Sequence, residues 1–212
     1  AKDAPGDWVG RCLLALTEYA QILGREAPHL TEIVARLPGA LNARGYLGEM
    51  LPPGTVDENQ IGGHNALVRG LCEYHRWRPD DRVRAMLSGI IENLMLPTGP
   101  LWADYPDQPD LALRDSQLVG LTMHRSSGVW RGLSTDIGVG FFILDGLTQA
   151  HAVVPSPGLR GLIETMIARY ARFDPVLHSA QTHSTLSTLR GILRWWRDVD
   201  PRPAYLELVR TR

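Results

Sequence analysis

Apolar residues recur at spacings of three and four along most of the chain, which predicts an almost entirely helical protein. Each periodic stretch divides into two helices around a turn. The predicted pairs begin at Asp7, near Gly63, at residues 134–136 and near Thr182. The turns RWRPDDR, AVVPSPG and RDVDPRP occupy corresponding places in the last three pairs. The pattern therefore indicates a tandem repeat of helical hairpins.

The two helices of a pair differ in how their apolar residues are distributed. In three pairs the first helix is apolar or small on most faces, whereas the second is amphipathic. A two-layer helical toroid needs this difference, because its inner helices are covered on all sides and its outer helices are half exposed. We therefore predict an all-α fold of about four hairpins in one domain over residues 1–212, with a long non-periodic loop at about 97–133.

Composition narrows the classes of function. Hydrophobic residues make up 44% of the chain and charged residues 21%, with a net charge of −1. These values fit a globular protein and argue against a nucleic-acid partner. No apolar run reaches the roughly 20 residues that span a membrane, and the start AKDAPGDW is polar, so we expect a cytoplasmic location. Cys12 and Cys72 are expected to be buried free thiols, a disulfide being the alternative, and no metal site or cofactor is expected.

Polar segments precede the first helix of the last three pairs: DENQIGGHN, RGLSTDIG and HSAQTHST. If the inner helices run parallel, these segments meet at one end of the toroid. His64, Asp136 and His183 would then face a shared cavity, where helix N-termini favour anions and sugar oxygens. Gln60 and Gln181 lie in the same segments and join the predicted substrate-binding residues. The alternative is structural, with Asp136 as an N-cap and the histidines hydrogen-bonded within the fold.

Two carboxylates at this end are candidates for acid–base chemistry. Glu58 and Asp136 could form the pair that glycosidic hydrolysis normally requires. The alternative for Asp57 and Glu58 is a solvated turn. Four aromatic residues are predicted to lie in loops: Tyr46, Trp102, Tyr105 and Trp130. Exposed rings there would suit stacking on sugars, or they could instead fasten the loop onto the helices.

Several segments resemble one known family. They are GDWVGRCLLALTEYA, LNARGYLGEMLP, QIGGHNALVRGLCEYH, LSTDIGVGFFILDGLTQAH and QTHSTLSTLRGILRWW. In order and spacing they resemble the glycoside hydrolase 127 type β-L-arabinofuranosidases, which are six-hairpin (α/α)6-barrel proteins. The resemblance covers nearly the whole chain but only the first part of that barrel. It implies that the four hairpins form part of an (α/α)6 toroid.

The resemblance also bears on the site. It implies substrate contacts for His64 in GGHN and His183 in QTHST, with Asp136 near another polar contact. In active members the acid/base glutamate and the zinc site with its cysteine nucleophile come later in the barrel, and Cys12 and Cys72 do not match those ligands. The predicted function is a glycoside hydrolase-like protein that acts on or binds a sugar. The alternatives are a non-catalytic module that binds a carbohydrate or another small molecule, and an oligomerising structural fragment whose open edges are covered by further copies.

Overall fold

Helix makes up 68% of the computed structural model, which confirms the predicted all-α class. The structure describes residues 4–106, 125–134 and 136–212. Eight α-helices lie in this part of the chain: α1 (Asp7–Leu23), α2 (Leu30–Arg36), α3 (Glu58–Trp77), α4 (Asp81–Ile90), α5 (Leu144–Val153), α6 (Pro157–Tyr170), α7 (Thr182–Asp198) and α8 (Pro203–Thr211).

Shorter elements lie between the helices. Short 3-10 helices cover Leu37–Ala40, Leu96–Asp104 and Val139–Ile143, and one π-helical turn covers Ile91–Met95. Three short strands, which the periodicity did not predict, are β1 (Val56–Asp57), β2 (Arg125–Ser127) and β3 (Trp130–Leu133). In this sheet β3 is central, parallel to β1 and antiparallel to β2. The predicted loop at 97–133 thus contains regular structure in its described residues, and residues 107–124 lie outside them.

Four helices pack side by side in the order α1, α3, α5 and α7. A glycine lies at each of the three contacts: Gly10, Gly146 and Gly191. A Cβ at Gly10 would stand 2.2 Å from the carbonyl carbon of Ala66, and one at Gly191 would stand 2.6 Å from that of Leu144. The backbones therefore approach as closely as they do because these positions lack side chains. We call α1, α3, α5 and α7 the inner helices.

The remaining helices, α2, α4, α6 and α8, each pack against the inner helix that precedes them in the chain. The predicted hairpins and two layers are therefore present. Membership of a closed (α/α)6 ring stays a prediction.

Two predicted helix starts are wrong. Helix α3 begins at Glu58, before the predicted Gly63, because the Asp57 side chain accepts a hydrogen bond from the Gln60 amide at 2.9 Å and caps the helix. Helix α5 begins only at Leu144, because Gly138 adopts φ 80° and a 3-10 turn precedes the helix. Asp136 therefore does not cap it. The predicted start of α7 at Thr182 is confirmed.

The two cysteines are free, as predicted. Cys72 is buried, whereas Cys12 is exposed, so the prediction of burial is wrong for Cys12. Cys12 lies on the flank of α1 that faces away from α3, which a helical periodicity alone does not distinguish from a covered flank.

Candidate functional site

Glu58 lies in the first turn of α3, where it is 2% exposed. Its Oε1 accepts hydrogen bonds from Tyr105 Oη at 2.5 Å and from the Gly140 amide at 2.9 Å. Its Oε2 accepts one from the Ser134 amide at 2.7 Å. A carboxylate that already accepts three hydrogen bonds in the interior fixes the segments around it. This geometry gives no support to Glu58 as the catalytic acid, and that role stays a prediction.

His64 is fully buried in α3 rather than facing a cavity. The Leu47 amide can only donate, so Nε2 of His64 accepts its hydrogen bond at 3.0 Å, and Nδ1–H donates to the Gln60 carbonyl at 2.8 Å. Burial lowers the pKa of His64 to about 4, against a weaker opposing effect of the Gln60 carbonyl. Both ring nitrogens form hydrogen bonds within the fold, as the alternative to a substrate-binding role for this histidine requires.

Gln60 is also buried, and its Nε2 donates to the carbonyls of Leu47 at 3.3 Å and Glu49 at 2.9 Å. Together with His64, it fastens the loop before β1 onto α3. Both ring nitrogens of His64 and the side-chain nitrogen of Gln60 are therefore engaged within the fold.

The loop aromatics are buried rather than exposed, and the predicted contacts of Trp102, Tyr105 and Trp130 with a substrate stay a prediction. The exposed fractions are 0% for Trp102, 3% for Tyr105, 1% for Trp130 and 1% for Tyr46. The rings of Trp102, Tyr105 and Trp130 lie with centroids 4.9 to 5.1 Å apart, and those of Trp102 and Tyr105 also pack on Phe141. Trp102 Nε1 donates to Thr98 Oγ1 at 3.0 Å. They fasten the segment after α4 onto the inner helices, which was the alternative for them.

Asp136, Gln181 and His183 are exposed, in agreement with a position on the rim. Gln181 Nε2 donates to Asp136 Oδ2 at 2.9 Å, so these two are brought together. His183 borders a small depression with Asp7, Arg11, Asn65, Phe142 and Ser187. Residues near the starts of the inner helices therefore do converge there, although the depression is shallow.

A much larger cavity, of about 860 Å³, opens at the opposite end of the inner helices. Its walls come from the C-terminal halves of all four inner helices, which shows that these helices run parallel. The lining contains more cationic than anionic side chains, with arginines at 69, 76, 84, 190, 194 and 197 and carboxylates at Glu18, Glu73 and Asp198. We call this cavity the arginine cleft.

A buried carboxylate organises the floor of the cleft. Asp145, on α5, is fully buried, and three guanidinium groups contact it. Arg194 Nη1 donates to Asp145 Oδ1 at 2.9 Å, to its carbonyl at 2.8 Å and to Thr148 Oγ1 at 2.9 Å. Arg190 binds both carboxylate oxygens through two nitrogens. Arg69 Nε lies 3.0 Å from Oδ2 but is not oriented to donate a hydrogen bond to it.

The arginines on Asp145 carry more positive charge than that carboxylate balances. The pKa of Arg69 is lowered, mainly because the side chain is buried. The charge of Asp145 opposes this shift, whereas the charges of Arg190 and Arg194 add to it. Arg69 and Arg194 expose 21% and 19% of their side chains, so their charges are partly removed from water. Three fixed guanidinium groups around one carboxylate favour a further anion beside them.

Other polar groups in the cleft are oriented by the fold. Glu73 accepts hydrogen bonds from Gln21 Nε2 at 2.7 Å and from Arg76. Gln149 Oε1 is buried and has no hydrogen-bond partner in the described part of the chain. The Cys72 thiol borders the cleft, but burial raises its pKa well above its usual range, so it stays protonated and unreactive.

The sequence contained signals for the cleft that the prediction missed. Arg190, Arg194 and Arg197 recur at helical spacing on α7, and Asp145 stands alone in the apolar run FFILDGL. A lone carboxylate inside an apolar helix requires a cationic partner, and a helix face with three arginines can supply one.

Among residues 4–106, 125–134 and 136–212, no three histidine, cysteine, aspartate or glutamate side chains are grouped to hold a metal ion. None of the described helices combines the length and apolar character that crossing a membrane requires. The resemblance to the glycoside hydrolase family stays a prediction. Comparison of the chain with protein-family models, with curated proteins and with solved structures found no match.

Proposed function

We propose that the protein binds a small anionic ligand, an acidic sugar, in the arginine cleft. The observation that carries this proposal is the cluster of Arg69, Arg190 and Arg194 on the single buried carboxylate of Asp145. Guanidinium groups recognise carboxylates and phosphates through paired hydrogen bonds, and they do so most strongly where water is partly excluded. The proposed class agrees with the predicted carbohydrate or small-molecule ligand but moves it to the other end of the inner helices.

The hydroxyl groups of a sugar also find partners in this cleft. Glu73 and Asp198 provide carboxylate acceptors, and the buried Gln149 Oε1 is an acceptor without a partner among the described residues. A volume of about 860 Å³ lies within the range of roughly 300–1,000 Å³ that is usual for small-molecule sites. A mono- or disaccharide with one acidic group would use both kinds of contact.

Glycoside hydrolysis at the N-terminal rim remains the second proposal. It is supported by the exposure of Asp136, Gln181 and His183 and by the contact between the first two. Hydrolysis of an aryl glycoside that is lost in Asp136→Asn would support it. Absence of hydrolysis across a panel of aryl furanosides and pyranosides would count against it for this chain.

The binding proposal is tested by calorimetric titration at low ionic strength with D-glucuronate and with neutral D-glucose. We expect D-glucuronate alone to bind, and Arg69→Gln to weaken it roughly 10- to 100-fold, the equivalent of one hydrogen bond to a charged group. Arg210→Gln, on the exposed face of α8, is the matched control and should bind like the wild type. Equal binding of both sugars, or of neither, would overturn the proposal.

A further inference from the structure

One flank of α1 is apolar and exposed. Trp8, Cys12, Ala15, Tyr19 and Ile22 are all exposed and recur at spacings of four and three, so they form one stripe along the helix. The exposed fractions are 66% for Trp8, 57% for Tyr19 and 81% for Ile22. Helices α3 and α5, which each have an inner helix on both sides, have no comparable exposed apolar stripe. A patch of this kind usually meets a partner.

The opposite end of the row of inner helices is different. On the exposed face of α7, Leu186 and Leu193 alternate with Arg190 and Arg197, which pair with Asp145 and Asp198. Helix α8 beyond it has no buried residue. The exposed face at this end therefore carries charged as well as apolar side chains, whereas the stripe on α1 is apolar throughout.

We propose that the stripe on α1 docks against the same stripe of a second copy of this chain, about a two-fold axis. A pairing of α1 with α7 would instead press apolar side chains against Arg190 and Arg197 and would leave another apolar stripe uncovered in each added copy. The two-fold pairing covers both stripes at once and leaves the two polar ends outside, so the assembly closes as a dimer.

Charge on the flank of the stripe selects the antiparallel arrangement. Arg11 and Glu18 are exposed and lie on the same side of the stripe. If the axis passes Ala15, the middle residue of the stripe, Arg11 of each copy lies beside Glu18 of the other. In a parallel pair the flank of one copy would face the opposite flank of the other, so Arg11 and Glu18 would lie beside Leu16 and Leu23 and would meet no opposite charge. The antiparallel arrangement also opposes the two helix dipoles, and the small Ala15 allows close approach at the axis.

The stripe, with Leu23 beside it, exposes roughly 500 Å² of side chain in each copy. A symmetric pair would bury about 1,000 Å², the lower bound for a specific interface. We therefore expect a dimer that dissociates in the micromolar range.

Sedimentation velocity from about 1 to about 200 µM brackets such a dissociation constant. We expect a monomer at the low end and a dimer at the high end. Tyr19→Glu should stay monomeric throughout, while the matched Leu186→Glu on α7 should dimerise like the wild type, with circular dichroism confirming that both fold. A monomer at every concentration, or loss of the dimer in Leu186→Glu instead of Tyr19→Glu, would overturn the proposal.

Cross-linking tests the axis without a disruptive charge. In Cys12→Ser/Ala15→Cys, oxygen with copper–phenanthroline removes two electrons and two protons from a pair of thiols, and a disulfide forms between copies. We expect a covalent dimer from this variant but not from Cys12→Ser/Ala204→Cys, whose cysteine lies on exposed α8. Equal cross-linking of both variants, or cross-linking only between Ala15→Cys and Leu186→Cys chains in the same background, would contradict the two-fold pairing.

Discussion

Tyr105 Oη donates a hydrogen bond to Glu58 Oε1 at 2.5 Å, across 47 residues of sequence. The Gly140 amide donates to the same carboxylate oxygen and also lies 3.1 Å from the Tyr105 oxygen. One buried carboxylate thus joins the start of α3 to the segment after α4 and to the turn before α5. Glu58, one of the two candidate catalytic carboxylates, therefore holds segments together that are distant in sequence.

Replacing Glu58 should therefore reduce stability. In Glu58→Gln the amide nitrogen would face a donor, so at least one buried donor loses its acceptor, and we expect a loss of about 2–3 kcal/mol in the free energy of unfolding. Tyr105→Phe should cost about 1 kcal/mol. Urea denaturation measures both, with Tyr205→Phe, at a half-buried tyrosine of α8 outside this network, as the control. Unchanged stability in Glu58→Gln would mean that the carboxylate is not a fastening and would return it to consideration as a catalytic group.

His64 should make stability dependent on pH. Its folded pKa of about 4 lies below the ordinary value of 6.5, so the unfolded chain binds the proton more tightly between these values. The contribution of neutral His64 is complete above pH 6.5 and is lost as the pH falls toward 4. The loss amounts to roughly 3 kcal/mol.

The measurement is denaturation of the wild type, His64→Gln and the exposed-site control His183→Gln between pH 7 and pH 4. His64→Gln should be less stable at pH 7 but should show a flatter dependence on pH, because the titrating group is gone. His183→Gln should follow the wild type. Parallel curves for all three proteins would show that His64 is protonated as easily in the folded chain as in the unfolded one.

The contact between α1 and α3 predicts opposite effects for one substitution at two sites. Gly→Ala inside a helix normally stabilises by about 1 kcal/mol. Gly10→Ala should instead destabilise by about 3 kcal/mol, because its Cβ would stand 2.2 Å from the Ala66 and Leu67 backbone and force the helices apart. Gly161→Ala, on α6 with no atom within 4 Å of the added carbon, should follow the normal rule. Thermal denaturation of the two variants decides it, and a stabilising Gly10→Ala would show that the helices do not approach this closely.

Removing the charge of Asp145 should leave three guanidinium groups without their carboxylate. We expect Asp145→Asn to lower the free energy of unfolding by about 3–5 kcal/mol. Sulfate should raise its melting temperature more than that of the wild type, because a bound dianion would take over the lost charge. The exposed Asp81→Asn serves as the control. If sulfate stabilises all three proteins alike, its effect is general and the arginine cleft holds no anion.

The helices were predictable because each buries an apolar face whose spacing is visible in a single stretch of sequence. The start of α3 was not, because the cap at Asp57 is followed by ENQIGGHN, a segment whose polar and glycine residues resemble a loop. Those residues are buried in α3 because their partners come from other segments, such as the Leu47 amide on His64. No local pattern shows whether a polar side chain faces a ligand or another part of the chain.

The candidate site depends even more on distant contacts. Arg69, Asp145 and Arg190 come from three different inner helices, and only their packing places the two guanidinium groups on one carboxylate. Asp136 and Gln181 were predicted to lie together on the rim, and the hydrogen bond between them confirms that proximity. Their proposed contact with a substrate stays a prediction.

Asp57 takes part in two structural elements, the strand β1 and the start of helix α3. Its backbone pairs in β1 with Arg131 of β3, and its side chain caps the Gln60 amide at the start of α3. Gly132 leaves room for that carboxylate, since a Cβ there would stand 2.4 Å from Asp57 Oδ1. Detachment of β3 would therefore also unwind the first turn of α3. The rate at which the Gln60 amide exchanges its hydrogen with solvent should therefore report how often the small sheet opens. Strands β1 and β3 of this sheet lie more than 70 residues apart in the sequence.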